Sequence, residues 1–355
     1  MKAKLKKIIA AAIRAPSGDN AQPWRLIASE TQGCIDIYNV PERDSSYLNY
    51  QQSASFIAHG ALIENILIAG RAVGCAIKLT TFPDANNQNH IARCEVSECA
   101  PESDPLYDPI FKRYTNRNRY RSFDLPEQQC QSLKEAAGCI KDASVSLITD
   151  SSSRKRLAWL LRTNDRMVFE HKDIHAFLFE QIRWNQKEVA ESGDGMPLTS
   201  LGIDAVETHI FPIFRFWSIV NALNSVGLSR IIGLKGGLNC RSASALGVIK
   251  VDERTPESFI AGGRAFERVW LEATRQKLAF QPVVGLALLI QRLADGRLDG
   301  FSAKQKEAIE AAAQEINTIF GIGDKTVIAY FRTGISTSDP EQLTKRQDKY
   351  AALLD

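Results

Sequence analysis

Paired cysteines, methionine and histidine are scarce in this 355-residue sequence: it has three methionines, five histidines, and seven cysteines with no C-x-x-C spacing. An odd cysteine count without a repeating framework excludes a disulfide scaffold and fits a reduced, cytoplasmic setting. The H-E-x-x-H pattern is also missing, so His171 and His175 have no third ligand placed by sequence. They are expected as a pair on a surface helix, with no metal site. No charge sign dominates: 44 basic residues stand against 41 acidic ones, a net charge of +3. Composition therefore predicts neither a nucleic-acid partner nor an anionic-membrane surface. No apolar segment approaches the roughly 20 residues that a bilayer crossing needs, and the most apolar window, residues 210–223, carries Arg215 and Asn221. GLKGGLNC, residues 233–240, does not match a dinucleotide fingerprint. What remains is a 44% hydrophobic chain, long enough to bury a substantial core in two domains or one elaborated one.

The opening MKAKLKKIIAAAIRAP is basic and briefly apolar, like a signal peptide. Arg14 interrupts it, and Ile8, Ile9, Ala12 and Ile13 keep helical spacing, which predicts an amphipathic first helix ending at Pro16. Trp24–Ile27 and Ile35–Tyr38 read as hairpin strands around Gln32-Gly33. From Ser53 to Val73 apolar residues recur on more than one face, predicting a central buried helix that ends near Gly74 and is followed by a strand.

A similar segment returns at Gly262–Pro282. Gly60 aligns with Gly263 and Glu64 with Glu267 at one offset of 203 residues. The repetition predicts two related halves, 1–108 and 109–355, each built on one long buried helix and paired as two subunits pair in a dimer. The join lies near the proline- and acid-rich Pro101–Pro109, and an insertion of about residues 162–247 sits in the second half. Glu64 and Glu267 are then structural carboxylates, placed to meet arginines across the pseudo-twofold axis.

Two stretches carry chemistry. FKRYTNRNRYRSF, residues 111–123, is either a solvated basic face or an anion site in which Arg113 and Arg117, four apart on one side of a helical turn, grip a phosphate with Thr115. APSGDNAQPWRL, residues 15–26, gathers short polar groups and backbone amides at one corner, where Gly18 permits close backbone approach.

Together they resemble the nitroreductase family of flavin enzymes. Pro16, Ser17, Asn20, Gln22, Pro23 and Trp24 match the family's proline-serine-asparagine-glutamine-proline-tryptophan motif, and Arg113-Tyr114-Thr115-Asn116-Arg117 is similar to its arginine motif. Arg332, before Thr333 and Gly334, is similar to the phosphate-binding basic residue of the family's late strand. The two motifs normally come from different subunits; here they sit in different halves of one chain, as in the fused, mycobacterial Acg-like group. The resemblance implies an α+β nitroreductase-like fold, an internal pseudo-dimer, and one flavin mononucleotide (FMN) per chain. It implies FMN contacts from Pro16, Ser17, Gly18 and Asn20, from Arg113, Thr115, Arg117 and Arg332, and from a loop containing Gln281, Pro282 and Val283. The implied function is reduction of a small electrophilic substrate with NAD(P)H as possible donor, in a monomer or homodimer. The alternative is a protein that sequesters FMN beneath the insertion as a lid, with little NAD(P)H-dependent turnover.

Among the remaining candidates, His59 is expected as a buried, hydrogen-bonded side chain and Cys240 as an inert thiol. Trp159, Trp184, Trp217 and Trp270 are expected in the core rather than against a flavin.

Overall fold

The computed structural model describes residues 1–338 and 350–354. The rest of the second half as bounded from sequence, 339–349 and 355, lies outside the described residues.

The chain opens with α1 (Lys2–Ala12), β1 (Trp24–Ser29), β2 (Cys34–Asn39), α2 (Ser53–Val73), β3 (Cys75–Thr81) and β4 (His90–Glu98). Next come α3 (Tyr107–Lys112), β5 (Tyr120–Arg121), α4 (Glu127–Gly138), β6 (Ala143–Ile148) and α5 (Ser151–Glu170). A mainly helical stretch follows: α6 (Lys172–Glu180), β7 (Ile182–Arg183), α7 (Gln186–Ser192), β8 (Met196–Pro197), α8 (Ala205–Ile210), α9 (Trp217–Asn224) and α10 (Leu228–Arg241). The chain continues through β9 (Ala245–Val251), α11 (Pro256–Arg275), β10 (Ala279–Val283), α12 (Gly285–Ala294), α13 (Ala303–Phe320), β11 (Thr326–Ser336) and β12 (Ala351–Leu354).

The fold is α+β. One sheet runs β12-β1-β2-β4-β3, and the other β10-β11-β9-β6 with β5 against the end of β11. Pairing is antiparallel except β1 with β12 and the small β7–β8 pair. Several local expectations hold for physical reasons visible in the sequence, though α1 ends at Ala12 with an Ile13 cap rather than at Pro16. The first helix buries Leu5, Ile8, Ala11 and Ala12 on one face. Gly33 turns the β1–β2 hairpin at φ 59°, and Gly74 ends α2 at φ 75°, both in the left-handed region that glycine enters without a Cβ clash.

The two long helices α2 and α11 cross at the centre, and glycine sets their separation. A Cβ on Gly60 would lie 2.2 Å from the Ile260 carbonyl oxygen, and one on Gly263 would lie 2.1 Å from the Ile57 carbonyl oxygen. These contacts are reciprocal at the 203-residue offset. Glu64, 1% exposed, meets Arg264 and Arg268 of α11 at 2.8 Å each. Glu267 meets Arg113 at 3.4 Å instead, because the positions mirroring Arg264 and Arg268 hold Ala61 and Asn65.

One expectation fails. The stretch Tyr50–Val73 is long and apolar enough to cross a membrane by length and composition, with a mean hydropathy of 1.4. Its apolar window is 72% buried inside the protein, so the apolar residues face neighbouring elements instead of lipid.

Candidate functional site

The corner after α1 is built from strained backbone. Asp19, Asn20 and Gln22 adopt positive φ of 46°, 60° and 53°, a conformation that asparagine and aspartate tolerate better than most residues. Ser17 closes the turn by accepting the Gln22 backbone N–H at 2.9 Å. The strain is offset by bonds to a distant segment, residues 193–202. Asn20 donates from Nδ2 to Gly195 O at 2.9 Å and accepts the Gly195 N–H at 3.3 Å, and Gln22 donates to Gly193 O at 3.1 Å.

This corner forms part of the wall of a cavity of about 450 Å³. Pro16, Ser17, Gly18 and Asn20 line it together with Arg113, Thr115, Arg117, Gln281, Pro282 and Val283, so ten of the eleven sequence-predicted positions share one space. The eleventh, Arg332, is fully buried behind the wall. Its guanidinium donates to Gln281 Oε1 at 2.6 Å, Asn239 O at 3.0 Å and Asn118 O at 2.8 Å, and lies 4.0 Å from the Tyr120 ring centroid. From there it fixes Gln281 and the arginine-run backbone.

Two local expectations are corrected. Arg113 and Arg117 do not share a helical turn: α3 ends at Lys112, and Arg113 is extended (φ −63°, ψ 134°). The segment is drawn out because the Arg113 guanidinium is buried against Glu267, Arg14 O (2.7 Å) and the Trp270 ring (4.3 Å), while Asn116 donates its backbone N–H to Phe280 O at 2.9 Å. Gln281–Val283 belong to strand β10 rather than a loop. It is an edge strand, the position where a proline such as Pro282 is tolerated because no further ladder bond is required of it.

The two arginines consequently differ. Arg113 is occupied by protein groups. Arg117 donates to Ser200 O at 3.0 Å and Met196 Sδ at 3.3 Å, and among the described residues it has no carboxylate within ion-pair distance. Burial holds its pKa below the usual arginine value, opposed by the fields of Asp19 and Asp165. A half-buried, incompletely neutralised guanidinium on a cavity wall favours an anionic ligand.

Sequence reasoning missed the acidic side of the cavity: Asp19, Asp44 and Asp165 all line it. The signal for Asp165 was present, a polar Asn164-Asp165 pair in α5 between buried Leu161 and Met167. Asn164 accepts the Leu286 N–H at 2.9 Å at the start of α12, and Gly236 leaves room for Asp165, since a Cβ there would lie 1.9 Å from its carboxylate. Burial raises Asp44 and Asp165, and raises Asp19 to about 6, with Asp44 adding to the rise and Arg117 opposing it. Asp19 faces the cavity rather than bulk solvent. A carboxyl raised in the folded state contributes stability that is full below its unfolded value of 3.8 and lost as pH rises through about 6. Asp19→Asn is therefore expected to stabilise the fold relative to wild type more at pH 7.5 than at pH 4.5, by about 1 kcal/mol after allowing for solvent in the cavity. Parallel melts at both pH values test this; an equal difference at each would rule it out.

Other candidates resolve individually. His171 and His175 are buried, not on a surface helix: His171 is the junction between α5 and α6, and their Nε2 atoms reach Asp299 O (3.0 Å) and Phe214 O (2.8 Å). Stacking against Tyr47, Phe301 and Phe179 explains their burial. His59 is buried and hydrogen-bonded through Nδ1 to Ser55 O at 2.6 Å, and burial lowers its pKa to about 4. Burial pushes the Cys240 thiol up to about 12, so it is unreactive. Trp270 is core and also lines the cavity, whereas Trp159 is 54% exposed beneath the Arg162 guanidinium.

No family model matches the chain. It is 28% identical over 278 residues to "Uncharacterized protein MT1398" of Mycobacterium tuberculosis, covering 77% of this chain and 38% of that protein. It is 26% identical over 222 residues to "Putative NAD(P)H nitroreductase acg" of Mycobacterium tuberculosis, covering 61% of this chain and 63% of that protein. The chain thus spans less than two thirds of the length of either relative. Among solved structures it is similar to a nitroreductase with bound FMN from Desulfitobacterium hafniense, with a TM-score of 0.39 and 13% identity, covering 70% of this chain and 96% of that one. It is also 24% identical over 124 residues to "Putative NAD(P)H nitroreductase MT3217" of Mycobacterium tuberculosis, covering 34% of this chain and 36% of that protein.

Proposed function

We propose that the chain is an FMN-dependent oxidoreductase, with a ping-pong cycle in which NAD(P)H is the donor and a small electrophilic organic molecule the acceptor. The observation that carries this reading is the convergence of Pro16–Asn20 and Arg113–Arg117, from opposite sides of the proposed join, on one cavity. The lining fits FMN. Arg117 offers a half-buried cation to the phosphate, Thr115 a hydroxyl, and the corner backbone close-range polar groups for the ring edge. Phe266, Trp270 and Leu288 supply an apolar wall for a flat ring system. Bound FMN would supply the hydride chemistry; the protein binds it, orients it and limits water around it. In the two-half reading, 1–108 and 109–355 act as an internal pseudo-dimer holding one FMN in the cytoplasm, and no partner subunit is needed to complete the site.

A second reading, FMN sequestration, is favoured by residues 193–202. This segment is bonded to Asn20, Gln22 and Arg117, and Gly202 packs so tightly that a Cβ there would lie 2.8 Å from the Arg117 Cβ. An anaerobic absorbance scan before and after NADPH separates the two. The oxidoreductase reading expects about one FMN per chain, bleached by NADPH or NADH. Bleaching by dithionite alone would favour sequestration. A colourless protein that cannot be reconstituted would overturn both.

A further inference from the structure

The basic run divides on folding. Arg113 and Arg117 line the large cavity, but Arg119 lines a second hollow of about 220 Å³ together with Tyr120, whose ring carries the Arg332 guanidinium at 4.0 Å. Three segments distant in sequence contribute to the hollow. Arg119 and Ser122 come from the basic run, Ser151, Arg154 and Lys155 from the first turns of α5, and Arg241 from the end of α10.

No carboxylate lines this hollow, and among the described residues none of its four cations has a carboxylate within 4.0 Å. The acid nearest in sequence, Asp150, is turned into the α5 cap, accepting from Ser153 N at 2.8 Å and Ser152 Oγ at 2.7 Å. The helix start is thereby satisfied, and the side chains make the site. Arg154 is fixed in place by Thr149 O at 2.8 Å and by Ala243 O. The Ser122 and Ser151 hydroxyls make no hydrogen bond among the described residues. Four like charges in one concavity repel each other, and a concave protein wall focuses their field on the space between them. The chemistry that relieves this is a multiply charged oxyanion, which guanidinium and ammonium groups bind with charge-assisted hydrogen bonds.

We propose that this hollow is a second anion site, separate from the large cavity, that takes the phosphate or diphosphate group of a small molecule. The site does not depend on the flavin reading. It is tested by calorimetric titration of the full chain with inorganic pyrophosphate at low and high ionic strength, using wild type and a Lys155→Ala/Arg241→Ala double variant. Both residues are exposed, so the variant is expected to keep its melting temperature and its flavin content. Saturable binding that weakens with salt, and that falls about tenfold or more in the variant, supports the site. Displacement of pyrophosphate by NADPH but not NADH would identify a donor 2′-phosphate as the source; displacement by neither would identify a separate phosphate compound. Equal binding by variant and wild type, or none at millimolar pyrophosphate, overturns the proposal. Loss of flavin without change here would instead bear on Arg117 and the large cavity.

Discussion

Arg117→Ala is expected to weaken FMN binding by roughly 100-fold, about 3 kcal/mol, with little change in the melting temperature of the flavin-free protein. The size follows from losing a desolvated, charge-assisted contact to a phosphate dianion. Its small structural cost follows from what Arg117 holds within the protein, one carbonyl and one thioether. Arg113→Ala should behave in the opposite way. That guanidinium is tied to Glu267, Arg14 O and Trp270, so its removal strips a buried carboxylate of a cationic partner and lowers stability before it changes affinity. Arg117→Lys should recover part of the affinity, since the charge remains but the planar fork is lost. Fluorescence titration of flavin-free protein with FMN, beside thermal melts, reads both quantities. Unchanged affinity in Arg117→Ala would remove that residue from the phosphate site and leave Arg113, tied to Glu267, and Lys235, paired with Glu207, as the other cations on the cavity wall.

The different fates of these arginines show where the sequence was legible. Regular elements with a strong period could be read directly: α2 runs from Ser53 to Val73 as the apolar pattern and Gly74 require, and the β1–β2 hairpin sits on Gly33. The corner at Pro16–Gln22 was legible because its polar and glycine content has few structural uses. What could not be read was which groups meet a charge once the chain folds. Arg113 and Arg117 look equivalent by spacing, yet Arg113 alone meets Glu267, 154 residues away, along with Arg14 O and the Trp270 ring. The role of the 193–202 segment was hidden for the same reason. Its partners, Asn20 and Gln22, are distant in sequence, and no local period marks them.

Gly60→Ala and Gly263→Ala are each expected to cost about 3 kcal/mol or more, lowering the melting temperature by at least roughly 5 °C. In an ordinary helix interior the same change would be favourable by about 1 kcal/mol, so the sign itself is diagnostic. The added methyl at either position meets a backbone carbonyl, and a main-chain atom in a packed helix cannot rotate away as a side chain would. The only relief is for α2 and α11 to move apart, which loosens the buried Glu64–Arg264–Arg268 cluster beside the crossing. That shared relief makes the double variant informative. Once one methyl has separated the helices, the second meets less resistance, so the combined loss should fall short of the sum of the single losses by about 1 kcal/mol or more. Strict additivity would mean that the glycines act at independent contacts. Sub-additivity would mean that one helix separation, set from both sides at the same offset, governs the stability of the centre and the width of the cavity that Ile57, Ala58 and Phe266 help to line.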